Sequence, residues 1–372
     1  MLCWFLAACA CVGTSLGVEF AVGQKFQIVL SGIPNLDTPL VPADAPVYDI
    51  DLEGTSAETI TAMKAMGKTV ICYFSAGTVE NWRPDANKFA AADMGSVLKE
   101  WPNERWLKLS SDNVRSIMKT RIQNAATKGC DAIDPDNTVN ENLTLINDHL
   151  DGYQNTNGLN LKEADTIDYM KFLSSFAASL GLQTGLKNSL AILPNISNIV
   201  QFAVNEQCAQ FQECEQYDDF IKSGKPVFHI EYPAKAPQVT DAEKKTDCQS
   251  TGMVGFSTVL KTMSVDGWVG YCDGSSATTS TSPGGEPPKP PKSTTTAPIT
   301  TPRTTSKPTP TKTTSSTTRK PTTTAPGGGG SPGGCTQKHW DQCGGNDWKG
   351  CTVCAAGFQC KGVSPPWYYQ CL

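Results

Sequence analysis

The chain has 372 residues, 18% of them charged, with a net charge of −5 and 15 cysteines. That length allows two domains, give or take one. Beyond the N-terminus no stretch reaches the roughly 18 uninterrupted apolar residues a membrane helix needs, and the acidic balance excludes nucleic acid and anionic lipid as natural partners.

Residues 1–17, MLCWFLAACACVGTSLG, form an apolar run closing on the small residues Ser15 and Gly17. The run is too short to span a bilayer and reads as a signal peptide, although it lacks an early Lys or Arg. Its GTSLG matches a nucleophile-elbow pattern but has no strand before it, so it carries no chemistry. The expectation is a secreted, extracellular protein. Loss of Cys3, Cys9 and Cys11 with the signal leaves 12 cysteines, an even number that suits a disulfide framework. With three histidines and no HExxH or paired CxxC in the sequence, no metal and no cofactor are expected. Asn142-Leu-Thr and Asn195-Ile-Ser are permissive glycosylation sites.

The region 18–272 carries 21 Lys/Arg against 32 Asp/Glu, a net of −11. Short β-rich runs alternate there with longer amphipathic stretches. The candidate strands are FQIVL (26–30), VYDIDL (47–52), TVICYFSAG (69–77), CDAID (130–134), QTGLKN (183–188), FAVNE (202–206), VFHIEY (227–232) and GFSTVL (255–260). SSDNVRSIMKTRIQNAATKG and DTIDYMKFLSSFAASLG read as helices between them. Such alternation implies parallel pairing, and eight strands in this length fit an α/β fold, a (β/α)8 TIM-type barrel. A doubly wound sheet is the alternative, but no GxGxxG follows the first strand.

Active sites of such barrels lie at the C-terminal strand ends. The polar residues there are Asp49 and Asp51, Tyr73 and Ser75, Asp134 and Asp136, Lys187 and Asn188, Asn205 and Glu206, and Glu231. Alternation along a strand puts Ala132, Asp134 and Asp136 on one face, and Pro135 is expected to end that strand. Paired carboxylates without a metal cluster or a Ser-His or Cys-His partner point to glycoside hydrolysis, with one carboxylate attacking or activating water and the other donating a proton.

From Asp273 to Gly334 the composition shifts to Ser, Thr, Pro and Gly, as in TTTAPITTPRTTSKPTPTKTTSSTT. So little apolar surface cannot offset chain entropy, and this reads as a disordered, O-glycosylated linker. The last 38 residues, 335–372, hold six cysteines, which compensate for a core too small to stand alone.

ICYFSAGTVENWRPDA, CDAIDPDN, DGYQN and GLKN resemble, in order and spacing, the signature segments of glycoside hydrolase family 114. That resemblance, over roughly residues 26–233, implies an endo-acting enzyme on α-1,4-linked polygalactosamine (galactosaminan), with a (β/α)8 barrel and a retaining mechanism. It makes Asp136 the nucleophile, with Asp134 next in line, and Glu206 the acid/base. Asp49, Asp51, Tyr73, Lys187, Asn188 and Glu231 would line the sugar subsites, and Trp82 would supply either a stacking face or core packing. A cationic amino-sugar polymer also gives the −11 charge a use. In the family DPDN runs almost directly into DGY, whereas here TVNENLTLINDH intervenes, which bears on chain-length preference and substrate.

HWDQCGG, TVCAAGFQC and YYQCL make the tail resemble a family 1 carbohydrate-binding module. The resemblance implies cellulose stacking by Trp340, Trp367 and Tyr368 with Gln370 as polar partner. It also implies bridges Cys343–Cys360 and Cys354–Cys371, with Cys335–Cys351 as an extra one. In the barrel, Cys208–Cys214 and Cys248–Cys272 are candidate bridges, while Cys72 and Cys130 could pair or remain buried thiols. The reading is a monomeric, fungal endo-glycosidase tethered to a cellulose-binding module. The rivals are a glycosidase on another α-linked wall polysaccharide, or a catalytically silent carbohydrate-binding protein.

Overall fold

The computed structural model describes residues 18–98, 101–138, 157–285, 336–337, 342–344, 351–364 and 368–371. Eight strands stand side by side in chain order and in parallel: β1 (Phe26–Val29), β2 (Val47–Asp51), β3 (Thr69–Ser75), β4 (Ala132–Asp136), β5 (Gln183–Lys187), β6 (Phe202–Glu206), β7 (Val227–Glu231) and β8 (Ser257–Leu260). They coincide with the eight runs read from the sequence. Two antiparallel strands, β9 (Trp268–Tyr271) and β10 (Ser276–Thr278), extend the curled sheet to ten. Between β1 and β8 the seam is held by side chains rather than by a strand pair. Lys261 Nζ donates to Gln27 Oε1, Ile28 O and Asp266 O, and Tyr271 Oη donates to Phe26 O.

Alternation along the strands sorts the core into two shells. Phe26, Ile28, Val47, Ile71, Ala132, Phe202, Val204, Phe228, Ile230 and Val259 fill the interior. Tyr48, Ile50, Val70, Cys72, Ile133, Leu186, Ala203 and Val227 face the helices. The lower interior is plugged by aromatic rings, with Phe20 4.7 Å from Phe202 and Phe26 4.9 Å from Phe228 between centroids. Gly185 makes room for this plug, since a Cβ there would lie 2.3 Å from the Phe202 ring.

Helix α1 (Ala57–Ala65) starts on Ser56, whose hydroxyl accepts from Thr59 N–H. Helix α2 (Asp112–Lys128) starts on Ser111 in the same way and stops at Gly129, whose φ of 90° a side chain would resist. Helix α3 (Glu163–Ser179) buries Tyr169, Met170 and Leu173 against the outer shell. Between β3 and α2 the chain inserts a three-stranded antiparallel sheet of 78–80, 94–97 and 104–107.

Two expectations need correction. The strand bearing Pro135 does not stop before it but runs on to Asp136, pairing with β3 through Ser75. Pairing on the β5 side ends at Ile133–Thr184, so the missing N–H of Pro135 falls where no partner is required. The segment 273–285 is not linker. It forms β10 and a strand pairing Thr281 with Pro34, and Thr279, 2% exposed, bonds to Gly267 O and Val41 O. Composition misassigned it because its stabilisation comes from backbone pairing rather than apolar side chains.

Bridges join Cys72–Cys130, Cys208–Cys214, Cys248–Cys272, Cys343–Cys360 and Cys354–Cys371. The first ties β3 to the start of β4. Cys351 is also disulfide-bonded, while Cys335 lies outside the described residues. So do residues 1–17 and 286–335, the insertion from residue 139 through Asp151, and both Trp340 and Trp367. The tail forms a three-stranded antiparallel sheet of 342–344, 368–371 and 360–364. Among the described residues no helix is long and apolar enough to cross a membrane.

Candidate active site

The site is built from inward-facing residues at or near the C-terminal ends of β2 to β6. Ala132, Phe202 and Val204 face the barrel interior lower down, so two-residue alternation delivers Asp134, Asp136 and Glu206 to the upper interior. The residues following β4, β5 and β6 are Asn137, Asn188 and Gln207, with φ of 59°, 49° and 67°. Such left-handed residues turn the chain sharply and hold the last side chain of each strand at the rim. Gly77 sits against the same turn, where a Cβ would lie 1.5 Å from Asn137 O.

Lys187 organises the charges. Its Nζ lies 3.2 Å from Asp136 Oδ2 and 3.3 Å from Glu206 Oε2. Burial works against its charge, but Asp136, Glu206 and Asp134 outweigh burial and hold the ammonium well above the usual lysine range. Asp136 also accepts from Tyr73 Oη at 2.9 Å and from Asn137 N–H at 2.7 Å. Glu206 accepts from Asn188 Nδ2 at 3.3 Å and from the Tyr232 hydroxyl. Asn188 is itself oriented, since its Oδ1 accepts from Glu206 N–H at 2.7 Å and Asn205 Nδ2 at 3.4 Å. Asp134 and Asp49 lie deeper, at 0% and 1% exposure against 9% for Asp136 and 6% for Glu206. Burial pushes Asp134 up to about 7, with Asp136 and Glu206 adding to the rise and Lys187 opposing it.

Asp49, Tyr73, Asp134, Asp136, Lys187, Asn188 and Glu206 therefore converge as the sequence suggested. Asp51 lies to one side, bound by Arg83 at 2.6 Å and by Gly54 N–H. Trp82 is half-buried beside that arginine. Glu231 does not join the cluster. Phe228 and Ile230 point inward, so Glu231 points outward, where it accepts from Ala209 N–H at 2.9 Å and meets His229 Nε2. The next residue, Tyr232, faces the interior and supplies the contact to Glu206. Parity along VFHIEY carried that signal, and the glutamate drew attention away from it. Cys208, Cys214 and His229 lie close enough to suit a metal, but both sulfurs are tied in a disulfide.

Residues 9–277 match the model of "Glycoside-hydrolase family GH114", and residues 339–371 match that of "Fungal cellulose binding domain". Among solved structures the chain is similar to Ega3 of Aspergillus fumigatus, crystallised in complex with galactosamine. The identity is 44% over 68% of this chain and 97% of that one, with a TM-score of 0.62. Among curated proteins it is similar over 41 residues to an AA9 family lytic polysaccharide monooxygenase J of Neurospora crassa, at 54% identity. It is also similar over 40 residues to a feruloyl esterase B of Talaromyces stipitatus, at 58% identity. The chain spans only 12% and 11% of those two proteins, a length suited to a binding module, so neither activity transfers. The match to the first family model takes in all eight barrel strands and every carboxylate gathered at their rim, and the chain belongs to glycoside-hydrolase family GH114, as a glycoside hydrolase with a fungal cellulose-binding module.

Proposed function

We propose that this is a secreted endo-glycosidase that cleaves α-1,4-linked polygalactosamine with retention, Asp136 attacking and Glu206 serving as acid/base. The observation that carries the reading is the shared lysine. Its two distances cap the separation of Asp136 Oδ2 and Glu206 Oε2 at 6.5 Å. Retaining enzymes hold their carboxyls about 5–5.5 Å apart, whereas inverting ones need about 6.5–9.5 Å to admit water. Tyr73 Oη, Asn137 N–H and Lys187 Nζ fix the orientation of the Asp136 carboxyl, as a positioned nucleophile requires. Glu206 must gain a proton before it can act as an acid. Similarity to Ega3, crystallised in complex with galactosamine, supports the substrate class.

Tyr73 and Asn188, bound to Asp136 and Glu206, would meet the sugar beside them, while Glu231, turned outward, is not proposed as a subsite residue. The tail module, with Trp340, Trp367, Tyr368 and Gln370 as its binding row, would keep the enzyme near cellulose by raising its effective concentration there. The test is to incubate the purified protein with partly deacetylated galactosaminan, chitosan and soluble α-glucans, following anomeric configuration by proton NMR. Galactosamine oligomers released first as the α-anomer are expected. First release as the β-anomer would overturn retention, and release only from another polymer would overturn the substrate. Deleting 335–372 should abolish retention on cellulose and leave turnover of soluble substrate nearly intact.

A further inference from the structure

The mechanism above leaves two carboxyls without a task. Asp49 and Asp134 stand on β2 and β4, the alternate strands flanking β3. Inward side chains from alternate strands share a layer in such barrels. None of their four carboxyl oxygens meets a donor among the described residues. Two bare buried carboxylates side by side are too costly to persist, and a proton placed between them resolves the cost.

We infer that Asp49 and Asp134 form a proton-sharing carboxyl pair beneath the reacting groups, with Asp49 donating to Asp134, and that this pair keeps Lys187 directed at Asp136 and Glu206. The inference rests on the assignment of Asp136 and Glu206 made above. The groups facing the pair are Lys187 from β5, Asp136 from β4 and Glu206 from β6. Burial raises Asp49 well above the carboxylate range, and the charge of Asp134 raises it further. A fully ionised Asp134 would offer Lys187 a third carboxylate and pull its ammonium down from the rim. A neutral or proton-bridged Asp134 does not compete. Asp134 is on this account a positioning residue rather than the nucleophile, and Asp49 holds the proton that makes it one.

Two readouts test this on the full chain. The first is the infrared carbonyl band of protonated carboxyls at pH 6, compared across wild type, Asp49→Asn, Asp134→Asn and Asp136→Asn. Asp247, also pushed up to about 7, contributes equally to all four, so the differences carry the information. Asp49→Asn and Asp134→Asn each remove one partner of the shared proton and are expected to shift or remove its carbonyl band, and Asp136→Asn to leave that band in place. An unchanged band in both pair variants overturns the inference. The second readout is the pH profile of kcat. Asp134→Asn should stay within about tenfold of wild type and hold its activity to higher pH, whereas loss of a catalytic carboxyl costs about a thousandfold or more. If Asp134→Asn falls as far as Asp136→Asn should, Asp134 does chemistry and the inference fails. If Asp136→Asn remains fully active, the nucleophile assignment fails instead, and the infrared readout still judges the pair. Should Asp134→Asn not fold, Asp49→Asn alone decides the infrared test.

Discussion

Two clusters of buried charge lie within this one barrel domain, and they are balanced in opposite ways. In the first, beside the end of β3, Arg83 grips Glu80 through two nitrogens at 2.9 Å and reaches Asp51 at 2.6 Å. Arg121 grips Asp85 at 2.9 and 2.7 Å and donates to Ser75 O at 2.7 Å. Two guanidiniums thus serve three carboxylates, Glu80 and Asp85 in planar, two-pronged geometry and Asp51 through one nitrogen. In the second, one Lys187 serves Asp136 and Glu206 with Asp134 close by. A structural cluster satisfies its charges where they stand. The site instead shares one compact ammonium between two carboxylates, an arrangement suited to meeting a proton, a developing oxocarbenium ion or a cationic sugar.

The comparison breaks first at the carboxylates themselves. Asp136→Asn should lower kcat by about a thousandfold or more while leaving the melting temperature near wild type. Glu206→Gln should fall comparably on the natural polymer but recover its first step on a substrate with an activated leaving group, which needs no proton. Steady-state kinetics with both substrates checks this. Equal loss on the two substrates would remove Glu206 from the acid role. In the Arg cluster the order should reverse. Arg83→Met strands Asp51 and Glu80 in the interior, a loss of about 3–5 kcal/mol in stability, read as a fall in the midpoint of urea unfolding. Lys187→Met lies between the extremes. Its two carboxylates can take up a proton once the lysine is gone, so the stability cost is small, while kcat falls about a hundredfold through loss of preorganised charge.

Much of this arrangement could be read in the sequence. All eight barrel strands were visible as apolar runs bounded by turn residues, because a barrel interior demands such runs. The convergence of Asp134, Asp136, Lys187 and Glu206 followed from where those runs end. Pairings between distant residues were not visible. Arg121 meets Asp85 across 36 positions and Ser75 across 46, and no local pattern encodes such a partner. Glu231 was misplaced for a different reason. The strand was identified correctly, but residue type was weighed above the parity that Phe228 and Ile230 had already fixed. Pro135 failed as a stop signal because only one side of its strand was still pairing.

Gly77 tests how closely the rim of the site depends on backbone geometry. Ala76 and Gly77 N–H both donate to Asp136 O, at 2.8 and 3.1 Å, so this turn sets the position of the proposed nucleophile. Gly77→Ala forces a methyl group against Asn137 O and must displace one strand end from the other. The expected cost is about 1–3 kcal/mol in stability, and a shift of about 1 Å in Asp136 costs on the order of a hundredfold in kcat. A variant that loses stability but keeps its turnover would show that the rim tolerates displacement.

The outer face offers the smallest and most discriminating effect. There Asp247 lies near Glu231 and Glu243 without a described lysine between them. Burial, then Glu231, then Glu243 push its carboxyl up to about 7. Its folded value lies above the ordinary aspartate value of 3.8, so its contribution to stability is full below that value and is lost as pH rises through about 7. Asp247→Asn cannot ionise and escapes that loss. Its melting temperature should match wild type near pH 4 and exceed it by about 2 °C at pH 8, with turnover unchanged because Glu231 and its neighbours face away from the substrate. A rise in stability accompanied by a change in the pH profile of kcat would mean that the outer carboxylates communicate with the site. The absence of any such change would confine acid–base control to the interior, where Lys187 is the single cation among the groups facing Asp134.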